Sequence, residues 1–259
     1  MALTLTARPS IRDSFRMVRR PSWLRDFWLL ARALRDFVRG FRSLQATGPC
    51  VTVFGSARCG PDHPYYQIGQ DIGRRLTDIG FAVMTGGGPG LMEAANKGAM
   101  SANGRSIGCN IRLPLEQSGN RFVNRSVVCH HFFVRKVLLF KYSYAFVALP
   151  GGFGTIDELF EALTLIQTHK IERFPVVLIG TAYWRPVLAL FEHMTKEGMI
   201  DASDRELALV TDDLDEATRY IARLTAERFG LRAGSGSPRA PQLPDADRLE
   251  TVSANQPAA

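Results

Sequence analysis

Tyr144-Ala-Phe-Val-Ala-Leu149 runs directly into Pro150-Gly-Gly-Phe-Gly-Thr155, and this join decides the fold. An unbroken apolar run of that length, stopped by proline and glycine, predicts a strand buried on both faces. A helical pattern over 155–168 follows at once. The same succession recurs on either side. Cys50–Phe54 ends in Gly55-Ser56, and Phe81–Met84 ends in Thr85 and Gly86-Gly87-Gly88. Ser106–Ile111 is a third run, Phe174–Ile179 ends in Gly180, and Leu207–Val210 is a sixth candidate strand. Further helical patterns lie near 64–79, 90–102, 132–142, 184–197 and 213–229. Strands alternating with helices imply a parallel sheet covered on both faces. Right-handed crossovers then give a single-domain α/β fold, doubly wound and Rossmann-like.

The chain divides into an Arg-rich arm (1–48), the α/β domain (49–230) and a tail (231–259). Residues 1–48 hold ten arginines, no lysine and three aspartates, which accounts for the whole net charge of +7. The remainder is neutral, so a nucleic-acid-binding body is not expected, because phosphate-backbone binding needs a basic surface. Within the arm, Trp23, Phe27, Leu30, Leu34, Phe37 and Phe41 recur every three or four residues, with Gly40 as a plausible helix end. This basic amphipathic helix suits packing on the body or on a neighbouring subunit, and less readily a membrane surface. The Pro/Ala/Ser-rich tail has too little apolar content to order itself. Cys50, Cys59, Cys109 and Cys129 form no CxxC pair and no zinc spacing, which predicts reduced thiols, a cytoplasmic location and no metal. Neither a secretory signal nor a membrane span is visible.

Ligands of such sheets bind where strands end and helices begin. Three of these junctions are glycine-rich: Gly55-Ser56, Gly86-Gly87-Gly88-Pro89-Gly90 and Gly151-Gly152-Phe153-Gly154-Thr155. Bare backbone amides at helix N-termini favour a phosphorylated ligand. Neither GxGxxG nor GxxxxGK[ST] is present, so NAD and P-loop chemistry lose support. Thr155 and Glu158 have two readings: a helix capping box, or a carboxylate held beside a phosphate turn to stabilise an oxocarbenium-like sugar. Arg135 and Lys136 are a solvated basic pair or contacts to phosphate and ribose. Glu116 is an exposed carboxylate or a ligand contact, and Glu93 is a further carboxylate candidate. His130, His131, His169 and His193 have no triad context. No serine or cysteine sits in a nucleophile elbow. No lysine has a recognisable pyridoxal-phosphate setting, and no cofactor is expected.

Pro150-Gly-Gly-Phe-Gly-Thr-Ile-Asp-Glu158 resembles the PGGxGTxxE signature of the Lonely guy (LOG) family of cytokinin-activating phosphoribohydrolases. Gly86-Gly-Gly-Pro-Gly-Leu-Met92 is similar to its glycine-rich segment, and Arg135-Lys136 to its arginine–lysine pair. Asn110-Ile-Arg-Leu-Pro-Leu-Glu-Gln117 and Phe132-Phe-Val-Arg-Lys136 resemble the longer bacterial branch. The likeness covers about 50–228. It implies a Rossmann-like fold and hydrolysis of a purine nucleoside 5′-monophosphate to free base and ribose 5-phosphate, the base being adenine or an N6-isoprenoid adenine. It implies catalytic roles for Arg135 and Glu158. It implies nucleotide contacts from Glu116, Arg135, Lys136, Gly151, Gly152, Phe153, Gly154, Thr155, Ile156, Asp157, Glu158 and Thr164, to which the glycine junctions add Ser56, Gly87 and Gly88. It also implies a homodimer, or a larger assembly such as a hexamer. A non-hydrolytic carrier of nucleotide or molybdenum cofactor on the same scaffold is the alternative, since fold does not fix function.

Overall fold

Seven strands form one all-parallel sheet in the computed structural model, which describes residues 23–112, 119–171 and 174–231. The strands are β1 (Cys50–Phe54), β2 (Ala82–Thr85), β3 (Ser106–Ile111), β4 (Arg125–Cys129), β5 (Ala145–Ala148), β6 (Val176–Ile179) and β7 (Leu209–Thr211), in the spatial order β4-β3-β2-β1-β5-β6-β7. The helices are α1 (Trp23–Leu44), α2 (Pro64–Asp78), α3 (Leu91–Ser101), α4 (Phe132–Tyr142), α5 (Phe153–Gln167), α6 (Thr181–Lys196) and α7 (Leu214–Phe229), with one short 3-10 segment at Ala202–Glu206. The order reverses between β1 and β5, which makes that pair the switch point of a doubly wound sheet.

Successive strand residues point to opposite faces, and the sheet uses both. Val51, Val53, Val83, Val147 and Ile179 pack with Tyr66, Ile72, Leu91 and Ile221 from α2, α3 and α7. Cys50, Phe54, Met84, Phe146 and Leu178 pack with Leu138, Leu159 and Trp184 from α4, α5 and α6. Phe146 is ringed edge-on by Phe54, Phe140 and Phe174 at 4.7–5.1 Å. Burial of this kind stabilises by about 25 cal/mol per Å² of apolar surface and is the main term holding the two layers. α2 and α3 approach so closely that Gly73 and Gly98 each stand where a Cβ would strike backbone of the facing helix, 2.1 Å from the Ala95 carbonyl oxygen and 1.9 Å from that of Gln70.

Three expectations are corrected here. β4 was not foreseen: it is an edge strand in which only Val127 and Cys129 are buried, so it lacks the continuous apolar signal of its neighbours. Gly40 does not end α1, which runs on to Leu44. It is instead the point of contact with α4, where a Cβ would lie 2.4 Å from a methyl of Leu138. The helix expected from 184 begins at Thr181, because the Asp212 carboxylate accepts the backbone N–H groups of Gly180 and Thr181 at 3.0 and 2.9 Å and caps that end. The helix of the arm packs against β4 and α4 and buries Ala33 and Leu44 in the core. Its buried Asp36 carboxylate accepts the His130 backbone N–H at 2.7 Å and meets the His130 ring at 3.0 Å. Residues 1–22, the remainder of the tail from 232, and the 113–118 segment with Glu116 lie outside the described residues.

Candidate functional site

A cavity of about 770 Å³ opens at the carboxyl ends of β1, β2, β3 and β5, across the switch point. Its floor is made by the glycine junctions. The turns after β1 and β5 are stitched together by Ser56 N–H donating to the Pro150 carbonyl at 3.0 Å, and the Leu91 N–H ties the first turn to α3 by donating to Ser56 at 2.9 Å. Gly151 has to be glycine, since a Cβ there would sit 2.1 Å from the Thr155 hydroxyl. Gly152 and Gly154 are different. Nothing lies within 4 Å of where their Cβ atoms would be, so their bare faces open on the cavity beside the first turn of α5. The free amides and partial positive charge of a helix start make such a cradle suitable for an anion.

The turn after β2 is fixed by polar side chains. The Gly87 N–H donates to Thr85 Oγ1 at 2.9 Å. The Gly87 carbonyl accepts from Asn110 Nδ2 and the Asn120 N–H, and Asn120 Nδ2 reaches the Gly88 carbonyl at 3.0 Å. Asn96, fully buried in α3, joins Thr85, Ser106 and Asn120 in one network. Gly87 therefore shapes the turn from behind, while Gly86 and Gly88 line the cavity.

Two charged side chains of opposite sign share the cavity wall. Arg135 leaves α4 and its Nε donates to the Cys109 carbonyl at the end of β3, 2.9 Å away. Its guanidinium lies so close over Gly86 that a Cβ there would be 2.3 Å from an Arg135 nitrogen. Glu158 sits one turn into α5, only 4% exposed, and its Oε2 has no hydrogen-bond partner among the described residues. Burial pushes its carboxyl up to about 7, against the opposing pull of Arg135 and Lys136, while Glu161 and Asp157 push it further up. A buried carboxylate with an unused oxygen, facing a cavity, is an arrangement that costs stability and is found at functional sites.

The capping-box reading of Thr155 and Glu158 fails. α5 starts three residues earlier than that reading needs, with Gly152 as its extended N-cap and Thr155 already in the first turn. The cavity wall gathers Ser56, Gly88, Arg135, Gly151, Gly152, Phe153, Gly154, Thr155, Ile156 and Glu158. Other candidates lie elsewhere. Lys136 is held by Asp157 at 2.9 Å and by Glu161, and neither it nor Asp157 lines the cavity. Thr164 is exposed two turns further along α5, and its hydroxyl donates to the Phe160 carbonyl. Glu93 accepts the Tyr66 hydroxyl at 2.9 Å. Of the histidines, His130 serves Asp36 and His131 is buried at the N-cap of α4.

Sequence reasoning missed several wall residues. The Tyr183 hydroxyl donates to the Gly151 carbonyl at 2.5 Å and braces the turn from α6. His63, N-cap of α2, accepts the Tyr65 N–H through Nδ1 and stacks on the Tyr65 ring. Arg58, Met92 and Phe132 complete this side. The His-Pro at 63–64 is a legible helix start, but nothing near 183 marks it for the site. Among the described residues no three His, Cys, Asp or Glu side chains gather as a metal site, and no helix is long and apolar enough to cross a membrane.

The family model described as "Possible lysine decarboxylase" matches residues 92–221. A cytokinin riboside 5′-monophosphate phosphoribohydrolase of Rhodococcoides fascians is 30% identical over 178 residues, 68% of this chain and 90% of that one. A probable enzyme of the same name from Oryza sativa subsp. japonica is 31% identical over 188 residues, 71% of this chain and 81% of its own. Among solved structures, the molybdenum cofactor carrier protein of Chlamydomonas reinhardtii matches with a TM-score of 0.50 at 25% identity, over 69% of this chain and 99% of that one. Among the described residues no lysine lines the cavity.

Proposed function

The chain belongs to the LOG family of cytokinin riboside 5′-monophosphate phosphoribohydrolases, and from that premise we propose that it hydrolyses the N-glycosidic bond of a purine nucleoside 5′-monophosphate. The observation that carries the proposal is the buried Glu158 carboxylate, with one oxygen unpartnered, in the same cavity wall as Arg135 and the open N-terminus of α5. The 5′-phosphate binds to the amides around Gly152 and Gly154, helped by Arg135. The Phe153 ring, 93% exposed at the rim, offers a flat apolar face to the base. The bond between C1′ and the purine nitrogen breaks with its electron pair going to the base. Ionised Glu158 stabilises the cationic ribosyl group and takes a proton from the water that adds to C1′. The net reaction consumes one water, leaving hydroxyl on C1′ and a proton on the base.

The subunit is proposed to assemble with copies of itself. Trp23, Phe27, Leu30, Leu34, Val38 and Phe41 form an exposed apolar row along α1. A row of that size is unusual on a monomer. A cytoplasmic location fits the four free thiols. Base release from adenosine monophosphate and from its N6-isopentenyl derivative tests the activity, and the ratio of rates ranks the two substrates. Nucleotide binding without base release would instead favour a carrier.

A further inference from the structure

Arg135 and Lys136 are neighbours in sequence but serve different sides of α4. Arg135 turns to the cavity and the Cys109 carbonyl. Lys136 turns to α5, where its ammonium lies 2.9 Å from Asp157 and in contact with Glu161. On that helix Asp157, Glu158 and Glu161 put three carboxylates within five residues, on adjoining positions. We infer that Lys136 is a positioning residue: held between Asp157 and Glu161, it offsets the two carboxylates flanking Glu158 and does not touch the nucleotide.

The charges facing Glu158 can be named from every element around it. Arg135 and Lys136 come from α4, Asp157 and Glu161 from its own helix, and the Cys109 thiol from β3. Burial opposes ionisation of Glu158, and the two cations oppose burial. Removing Lys136 would delete one cation and leave two carboxylates uncompensated beside a buried one. Both changes disfavour the ionised form that the proposed reaction needs. The lysine itself is proton-rich for the same reason, since hydrogen bonds to Glu161 and Asp157 favour its charged form over the effect of burial. The sequence motif gives no hint of this division, because adjacent basic residues look alike on paper.

The inference rests on the proposed role of Glu158, and the test separates the two. Turnover of adenosine monophosphate is measured against pH for the full chain, for Lys136→Met, and for Lys136→Met combined with Asp157→Asn and Glu161→Gln. The single variant is expected to move the acid limb of kcat up by about one pH unit, a roughly tenfold loss near pH 6 that fades in alkali. KM should stay within about twofold, because the side chain binds its acidic partners and not substrate. The triple variant should return the limb towards its original place, which a merely structural role would not do. A KM raised at every pH with an unmoved limb would overturn the inference and make Lys136 a nucleotide ligand. An unchanged profile would also overturn it. If the unmodified protein released no base, the reading of the site would fail by itself. The inference would then be judged by carboxyl-carbon NMR titration of Glu158, which must shift upward in Lys136→Met or the inference falls.

Discussion

Replacing Glu158 with Gln is expected to make the fold more stable in alkali while abolishing turnover. In the unfolded chain this carboxyl titrates near its ordinary 4.5, and in the folded protein burial holds it at about 7. Between those values the folded state keeps a proton that the unfolded state has lost. The stability linked to this proton is complete below 4.5 and is lost as pH rises through 7. At about 1.4 kcal/mol per pH unit, the ionised carboxylate costs the fold about 3 kcal/mol at pH 8 and under about 1 kcal/mol at pH 5. Gln fills the same space without a charge. The stability gained by Glu158→Gln should therefore grow by about 2–3 kcal/mol from pH 5 to pH 8, other titrating groups cancelling in the comparison. Urea unfolding of both proteins at the two pH values measures it. A stability difference that did not change with pH would refute the reasoning, because Glu158 would then titrate alike in both states. Such a gain is the expected signature of a group kept for function at a cost in stability.

Three further substitutions test the supports of the site and the fold. Gly86→Ala would set a Cβ 2.3 Å from the Arg135 guanidinium and 2.8 Å from Met92 sulfur, so Arg135 must move. Turnover should fall about 100-fold while urea unfolding changes little. Gly98→Ala drives a Cβ into the Gln70 carbonyl of the facing helix, and the backbone cannot give way without parting α2 from α3. A loss of about 1–3 kcal/mol in urea unfolding is expected. Asp36→Ala removes the acceptor of the His130 N–H and should cost about 1–3 kcal/mol. Because that carboxylate ties α1 to the strand edge, limited proteolysis should then cut within residues 23–44 before the rest of the domain.

The fold was legible wherever both faces of a strand are buried. Cys50–Phe54, apolar but for Thr52, and Ala145–Ala148, apolar throughout, each run into a glycine turn, so their place in a covered parallel sheet can be argued from the residues. Arg125–Cys129 was hidden because an edge strand exposes Arg125, Ser126 and Val128, which leaves a pattern too thin to separate from a loop. Gly40 misled for a related reason. Glycine ends helices, but it also lets two helices touch, and only the position of Leu138 distinguishes the cases. At the site, the glycine turns, Arg135 and Glu158 were readable because strand ends and helix starts meet at the switch point of any such sheet. Tyr183 and His63 were not, since they arrive from the starts of α6 and α2 with no local signal for what they face. Spacing also could not decide between the two roles of Thr155 and Glu158. That required knowing that α5 begins at Phe153.

The central claim is that Glu158 carries hydrolysis of a purine nucleotide in this cavity. The most direct test is chromatography of free base released from adenosine monophosphate and N6-isopentenyl adenosine monophosphate, with Glu158→Ala assayed beside the unmodified protein. The account predicts base from the unmodified protein, near-total loss in the variant, and nucleotide still bound by both. Equal release by the two proteins would contradict the role of Glu158, and binding without release by the unmodified protein would contradict the activity itself.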